Sequence, residues 1–414
     1  MRWKILAVLT LATLAVGCSS TDDKEIEPAP LPDFTEKASL QKEWSRSVGD
    51  GQGKLYNKLV PAIEGNRIFA ADLNGVIMAM DRLSGDKLWE KELELPVSGA
   101  LSVNGTLVFV GTLKGQVIAL DSNTGEEVWR ASVPSEVLAA PVSNGYVVVV
   151  QTQDDRVIGL EADTGKQLWI SENSPAVLTL RGTSEPLVTG RLAIAGLSTG
   201  KVIALDINNG APVWQQKVAL PKGRSELERI VDIDGGMLLD GSTLYVVTYQ
   251  GRMAAVDIDN GQMLWQRDSN SYVGLGEGFG SIYVSLSSGV VEAVDKTSSS
   301  ALWSNDQLLR RQLTAPAAIS NYGAAGDFEG YIHLLSQVDG QYVGREKVDG
   351  DGLRARPLVV DNWIYVYGNS GDLVASTIKQ QRTGAACGRR FELPAAAVQR
   401  PLRLCTLAGR NFRF

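Results

Sequence analysis

Short apolar runs, each closed by a polar, glycine-containing pair and then by a tryptophan, recur along most of the chain. The stretch from Gly75 to Trp89 reads GVIMAMDRLSGDKLW. It returns as GQVIALDSNTGEEVW (Gly115 to Trp129), RVIGLEADTGKQLW (Arg156 to Trp169), GKVIALDINNGAPVW (Gly200 to Trp214), GRMAAVDIDNGQMLW (Gly251 to Trp265) and GVVEAVDKTSSSALW (Gly289 to Trp303). A seventh copy, GYIHLLSQVDGQYVG, starts at Gly330 and carries Gly344 at the tryptophan position, and an eighth starts at Ser370 and fades after Thr377. Pairs such as Asn74-Gly75 and Thr124-Gly125 supply the positive φ of tight hairpin turns on both sides of a short β run. Two further strand-like runs precede each copy, as in APVSNG and YVVVV between Ala140 and Val150. Four antiparallel strands in roughly 40 residues is the signature of a propeller blade, and one blade cannot bury its own faces.

The pattern predicts an all-β, eight-bladed β-propeller of four-stranded antiparallel blades over residues 42–380. The last copy lacks a fourth strand, and EWSRSV, Glu43 to Val48, is an orphan tryptophan-bearing strand at the other end of the chain. Pairing the two closes the ring with an N-terminal strand. The tryptophans are expected to pack between neighbouring blades rather than to form a ligand cage.

Residues 1–17 fall outside this pattern. Arg2 and Lys4 precede the apolar stretch Ile5 to Val16, then Gly17 and Cys18 follow. The stretch is shorter than the roughly 20 residues a membrane-spanning helix needs, and it reads as an export signal. Its AVGC ending resembles a bacterial lipobox with Ala15 in place of the usual leucine, which makes Cys18 the expected acylated residue. Residues 18–41 are polar, acidic and proline-rich and are expected to form a flexible tether. Residues 381–414 carry seven arginines against one acidic residue, Glu392, and continue no strand pattern; this basic tail reads as disordered or non-native.

The formal net charge of −7 speaks against a general nucleic-acid binder. Cys387 and Cys405, both in the tail, are the only cysteines after Cys18, so the repeats hold no disulfide or thiolate site. The single histidine, His333, lies within an apolar strand. The repeat also resembles the blades of quinoprotein dehydrogenases, a family that binds pyrroloquinoline quinone and calcium beneath an adjacent cysteine pair. No such pair exists in the repeats, and neither enzymatic activity nor a cofactor or metal is expected.

Chemistry-bearing departures sit instead in two insertions that stretch the tryptophan spacing from 40 residues to 45 and then 51. The first contains AVLTLRGTSEP, with Leu178, Leu180 and Arg181. The second is LPKGRSELERIVDIDGG, Leu220 to Gly236, with Asp232 and Asp234. Both fall at the same stage of successive blades and should emerge side by side on one face. With the lipobox, the eight blades and DFEGYIHLLSQVDGQYVGREKVD (Asp327 to Asp349), these motifs resemble the BamB family, the propeller lipoproteins of the outer-membrane β-barrel assembly machinery of Gram-negative bacteria. The likeness runs from the signal to about Lys379, and the basic tail departs from it.

That resemblance implies a non-enzymatic scaffold, lipid-anchored on the periplasmic side of the outer membrane. Its partner would be the POTRA domains of BamA, with the other assembly lipoproteins reached indirectly and unfolded outer-membrane proteins as further candidates for contact at exposed blade edges. It implies that Leu178, Leu180, Arg181, Asp232 and Asp234 form the BamA contact. The residues themselves allow a second role, in which Arg181 pairs with Asp232 or Asp234 and ties the loops together.

Overall fold

The computed structural model describes residues 27–53 and 58–380. Signal segment, Cys18 and basic tail lie outside the described residues. Within them the strands form eight four-stranded antiparallel sheets. Blade 1 comprises Ala62–Glu64, Arg67–Ala71, Val76–Asp81 and Lys87–Glu92, paired in that order. Blades 2 to 7 repeat the arrangement. In blade 8 the strands Leu358–Val360, Trp363–Tyr367 and Asp372–Gln380 receive Ala38–Ser47 as the outermost strand, with Trp44 opposite Ala375. The expected ring closure is thus formed, although the closing strand begins at Ala38, ahead of residue 42.

The central strands of each blade are almost wholly apolar because both faces meet a neighbouring blade. Val108, Val110, Ile118 and Leu120 point toward blade 1, whereas Phe109, Val117 and Ala119 join blade 3. This is the two-sided burial that turns alternation into a continuous apolar run.

Each blade is fastened to the next by its tryptophan. The Trp129 indole donates to the Ala162 carbonyl at 2.7 Å. Its ring lies on Gly165, where a Cβ would come within 2.5 Å of it. That glycine has φ +70°, as the turn after Asp163-Thr164 requires. The same pairing joins Trp89 to Gly125, Trp169 to Gly210, Trp214 to Gly261 and, across the closure, Trp44 to Gly85.

The rule explains its own exception at Gly344. The tryptophan of blade 7 would need the turn between the third and fourth strands of blade 8. That turn does not exist, because the fourth strand comes from the N-terminal part of the chain. Its place is taken by the entering backbone: the Ala38 carbonyl would lie 2.2 Å from a Cβ on Gly344.

The tether expected over residues 18–41 is corrected from Glu27 onward. Ala29 exchanges hydrogen bonds with the Leu309 carbonyl and the Arg311 guanidinium, and Lys37 N–H donates to the Val343 carbonyl at 2.9 Å. Composition suggested a solvated linker; docking against blade 7 holds it instead.

Candidate functional site

In an antiparallel four-stranded blade, the connection from fourth strand to the next blade's first strand emerges on the same face as the turn between second and third strands. Residues 172–186, between blades 3 and 4, and 218–237, between blades 4 and 5, are two such connections. They therefore share one face of the ring, as their spacing predicted.

Polar contacts set the first insertion on its blades. Ala176 N–H donates to Ser198 Oγ at 2.9 Å, and the Asn173 amide donates to the Asp155 carbonyl at 3.0 Å. Ser198 is in turn held by the Asp155 carboxylate at 2.6 Å. This anchoring leaves the tip outside: Val177 is 90% exposed, Leu178 is 40% exposed, Arg181 is exposed and Leu180 is half-buried.

The second insertion folds around a short 3-10 turn, Leu227–Arg229. Ser225 Oγ accepts from the Glu228 N–H, while the Glu228 carboxylate accepts from the Arg224 N–H at 2.6 Å. This reciprocal capping fixes the turn without a hydrophobic core, and Leu227 stands 66% exposed. Beyond the turn, Ile230, Val231 and Ile233 bury themselves, with Ile233 lying against Gly196 of blade 4. The chain here passes beneath the first insertion.

That crossing decides the place of the two aspartates. Asp232 is only 1% exposed, and one carboxylate oxygen accepts the Leu180 N–H at 2.6 Å. Its other oxygen, Oδ1, makes no hydrogen bond, and neither does Oε1 of Gln153, whose amide reaches the Leu180 carbonyl. Burial, reinforced by the nearby charge of Asp234, pushes the Asp232 carboxyl up to about 8. Asp234 is half-buried and is pushed up to about 6 by burial, opposed by the Lys58 ammonium. Asp155 is likewise raised by burial, against the hydrogen bonds from Ser198.

Two placements bear on the sequence reading. Arg181 pairs with neither aspartate; its guanidinium lies 3.4 Å from Glu136, in the connection between blades 2 and 3. Asp232 offers no carboxylate to solvent, because the backbone of Leu180 occupies it. Of the five residues named from sequence, Leu178 and Arg181 stand at the surface. Leu180 is at its edge, and Asp232 and Asp234 lie behind it.

Beside the insertions, the mouth of the central channel opens into a cavity of about 290 Å³. Alanine and leucine side chains form its wall, and Arg181, Glu185, Asp234, Arg354 and Arg356 face into it. Arg356 lies 3.6 Å from Glu185, and Lys58 donates to the Tyr272 carbonyl at 2.7 Å. Among the described residues no three His, Cys, Asp or Glu side chains are grouped to hold a metal ion. His333 is fully buried in blade 7 between Asp327, at 2.9 Å, and the Tyr342 hydroxyl. Arg311 donates to the same Asp327 at 2.7 Å. The group is a packed network in which the histidine itself is fully buried.

Sequence reasoning missed the exposed Val177, Leu220 and Leu227 as part of this surface. Their signal was present: apolar residues on two of the longer connections, although residues 48–61, between blades 8 and 1, form one of nearly the same length as the first insertion.

Comparison with known proteins gives one answer. The profile of the family described as outer membrane protein assembly factor BamB matches residues 73–305. The BamB of Pseudomonas aeruginosa is 63% identical over 379 residues, covering 92% of this chain and all of that protein. The BamB of Kangiella koreensis is 40% identical, covering 87% of this chain and 92% of its own. Among solved structures, BamB from Moraxella catarrhalis superposes with a TM-score of 0.75 at 27% identity, covering 82% of this chain and 99% of that one. The quinohemoprotein alcohol dehydrogenase of Comamonas testosteroni reaches a TM-score of 0.67 at 14% identity, over 82% and 76% of the two chains. That last likeness concerns the fold alone.

Proposed function

Because the chain belongs to the family of outer membrane protein assembly factor BamB, we propose that it acts as a non-enzymatic scaffold of the Gram-negative outer-membrane assembly machinery. In this reading Cys18 carries the acyl anchor in the outer membrane, the ring faces the periplasm, and the insertion face binds the POTRA domains of BamA. Other lipoproteins of the machinery are reached through BamA, and the complex supports insertion of outer-membrane β-barrel proteins.

One observation carries the site. The Asp232 to Leu180 N–H bond clamps the two insertions together beneath a tip on which Leu178 and Arg181 remain exposed. An aliphatic anchor next to a guanidinium is the composition of a small interface hot spot. Arg181 meets Glu136 at 3.4 Å with both side chains part-exposed, a pair worth little in water and easily exchanged for a partner carboxylate. Asp232 and Asp234 serve as positioning residues, which lowers the ordering cost of binding.

Capture of BamA from solubilised outer membranes tests this. Arg181→Glu and Leu178→Ala are each expected to cost about 2 kcal/mol, roughly 30-fold in affinity, without moving the thermal transition. Tyr146→Ala, on the opposite face, should bind as the unaltered protein does. If folded Arg181→Glu captures BamA undiminished, the site is wrong.

A further inference from the structure

The segment that the sequence marks as a linker is the least expected contact in the molecule. Residues 27–34 read EPAPLPDF. Three prolines fix φ along the segment and remove three N–H donors, leaving a stiff backbone rich in carbonyl acceptors. Blade 7 and the connection before it answer with arginines. Arg310 Nε donates to the Glu27 carbonyl at 2.7 Å, Arg311 Nη1 to the Ala29 carbonyl at 3.0 Å, and Arg345 Nη1 to the Pro32 carbonyl at 3.4 Å. Phe34 then lies 4.7 Å from the Tyr342 ring, under the Arg345 guanidinium, and packs on the apolar cluster that includes Leu308 and Trp303.

The path has a direction. Lys37 is bound to Val343 at the start of the blade 7 outer strand, at the end away from the insertions. Glu27 is bound to Arg310, whose own N–H donates to the Ser288 carbonyl in a turn on the insertion face. The described segment therefore ends, at Glu27, on the face that carries both insertions. Eight residues, 19–26, separate it from Cys18, and even fully extended they span only about 30 Å.

We infer that the docked segment Glu27–Lys37 acts as an orienting strap, so that the lipid surface holding the anchor lies on the insertion side of the ring. The inference rests on acylation at Cys18 and deepens the proposed function. A long free linker would let the ring turn either face to the membrane. The strap removes that freedom, keeping the BamA-binding loops on the membrane side.

Energy transfer to the membrane surface tests the strap. Full-length acylated protein, with Cys387 and Cys405 replaced by serine, is inserted into phosphatidylcholine vesicles containing an acceptor on the lipid headgroup. A donor is placed at Val177→Cys on the insertion face or at Tyr146→Cys on the opposite face. The two positions differ by about 20 Å along the strands, so transfer is expected to be about twofold higher at residue 177. Combining Phe34→Ala with Arg345→Ala should shrink that difference while the ring still melts cooperatively. Equal or greater transfer at residue 146 in the unaltered strap overturns the inference. Failure of the protein to float with vesicles shows that acylation itself fails, and the inference falls with it.

Discussion

Replacing Asp232 by asparagine asks whether a buried carboxyl governs the seam between the two insertions. A carboxyl held near 8 in the folded protein, against about 4 in the unfolded chain, favours the folded state while protonated. Its contribution is fully present below pH 4. It is lost progressively as pH rises through the folded value near 8, because the unfolded chain sheds its proton first. The loss proceeds at up to about 1.4 kcal/mol per pH unit, or about 4 kcal/mol across pH 5 to 8. With an unfolding entropy of about 2.1 cal/mol/K per residue over a ring of roughly 340 residues, that corresponds to about 6 °C in Tm.

Asparagine keeps an oxygen for the Leu180 N–H and carries no charge. Asp232→Asn should therefore match the unaltered protein only below about pH 4, exceed it by about 1 kcal/mol at pH 5 and exceed it increasingly toward pH 8. Asp234 and Asp155 are raised in the same sense, so a residual slope of the same sign stays in the variant. Asp232→Ala, by contrast, strands the Leu180 N–H and should lie about 1–3 kcal/mol below Asp232→Asn at every pH. Differential scanning calorimetry from pH 5 to 8.5 reads all three curves. A difference between Asp232→Asn and the unaltered protein that does not change with pH would refute a protonated Asp232.

Three further substitutions probe the ring. Asp327→Ala leaves Arg311, 2% exposed, and buried His333 without their shared acceptor, and should lower the unfolding free energy by about 3 kcal/mol in denaturant titration. Gly165→Ala forces a Cβ into the Trp129 indole at φ +70° and should cost about 2–3 kcal/mol. Gly105→Ala, at φ +60° with open space around its Cβ, should cost only about 1 kcal/mol for backbone strain; equal losses at the two glycines would show that the indole contact contributes nothing.

The ring was legible because its contacts are local in the repeat. Each fourth-strand tryptophan meets a turn in the next copy, so sequence spacing alone reports blade number and closure. Ser299 shows the limit of reading glycines literally: it takes φ +61° at the position where other blades have glycine. Gly344 was visible as an exception, but its cause was not, since only the closed ring brings Ala38 to it. The charges of the site were harder. Arg181 and Glu136 lie 45 positions apart in two different connections, and only ring curvature joins them. Asp232 looks like a surface acid in sequence because nothing in the DID motif says that its two neighbours, Val231 and Ile233, turn inward and carry it under.

The insertions are attached differently from the blades, and the difference bears on how the surface works. Blades hold one another through apolar faces and indoles, which respond little to pH or ionic strength. The first insertion is held through Ser198, Asp155 and Asp232, with unpaired polar atoms left on Gln153, Thr183 and Asp232. A polar seam of this kind depends on proton occupancy and water, because a buried acceptor without a donor is costly and a proton on Asp232 turns one acceptor into a donor. The tip bearing Val177, Leu178 and Arg181 is thus attached through groups that titrate, whereas the blades beneath it meet through apolar faces. Partner affinity should then follow the protonation of the seam, whereas the melting of the ring also reports the apolar contacts that carry most of its stability.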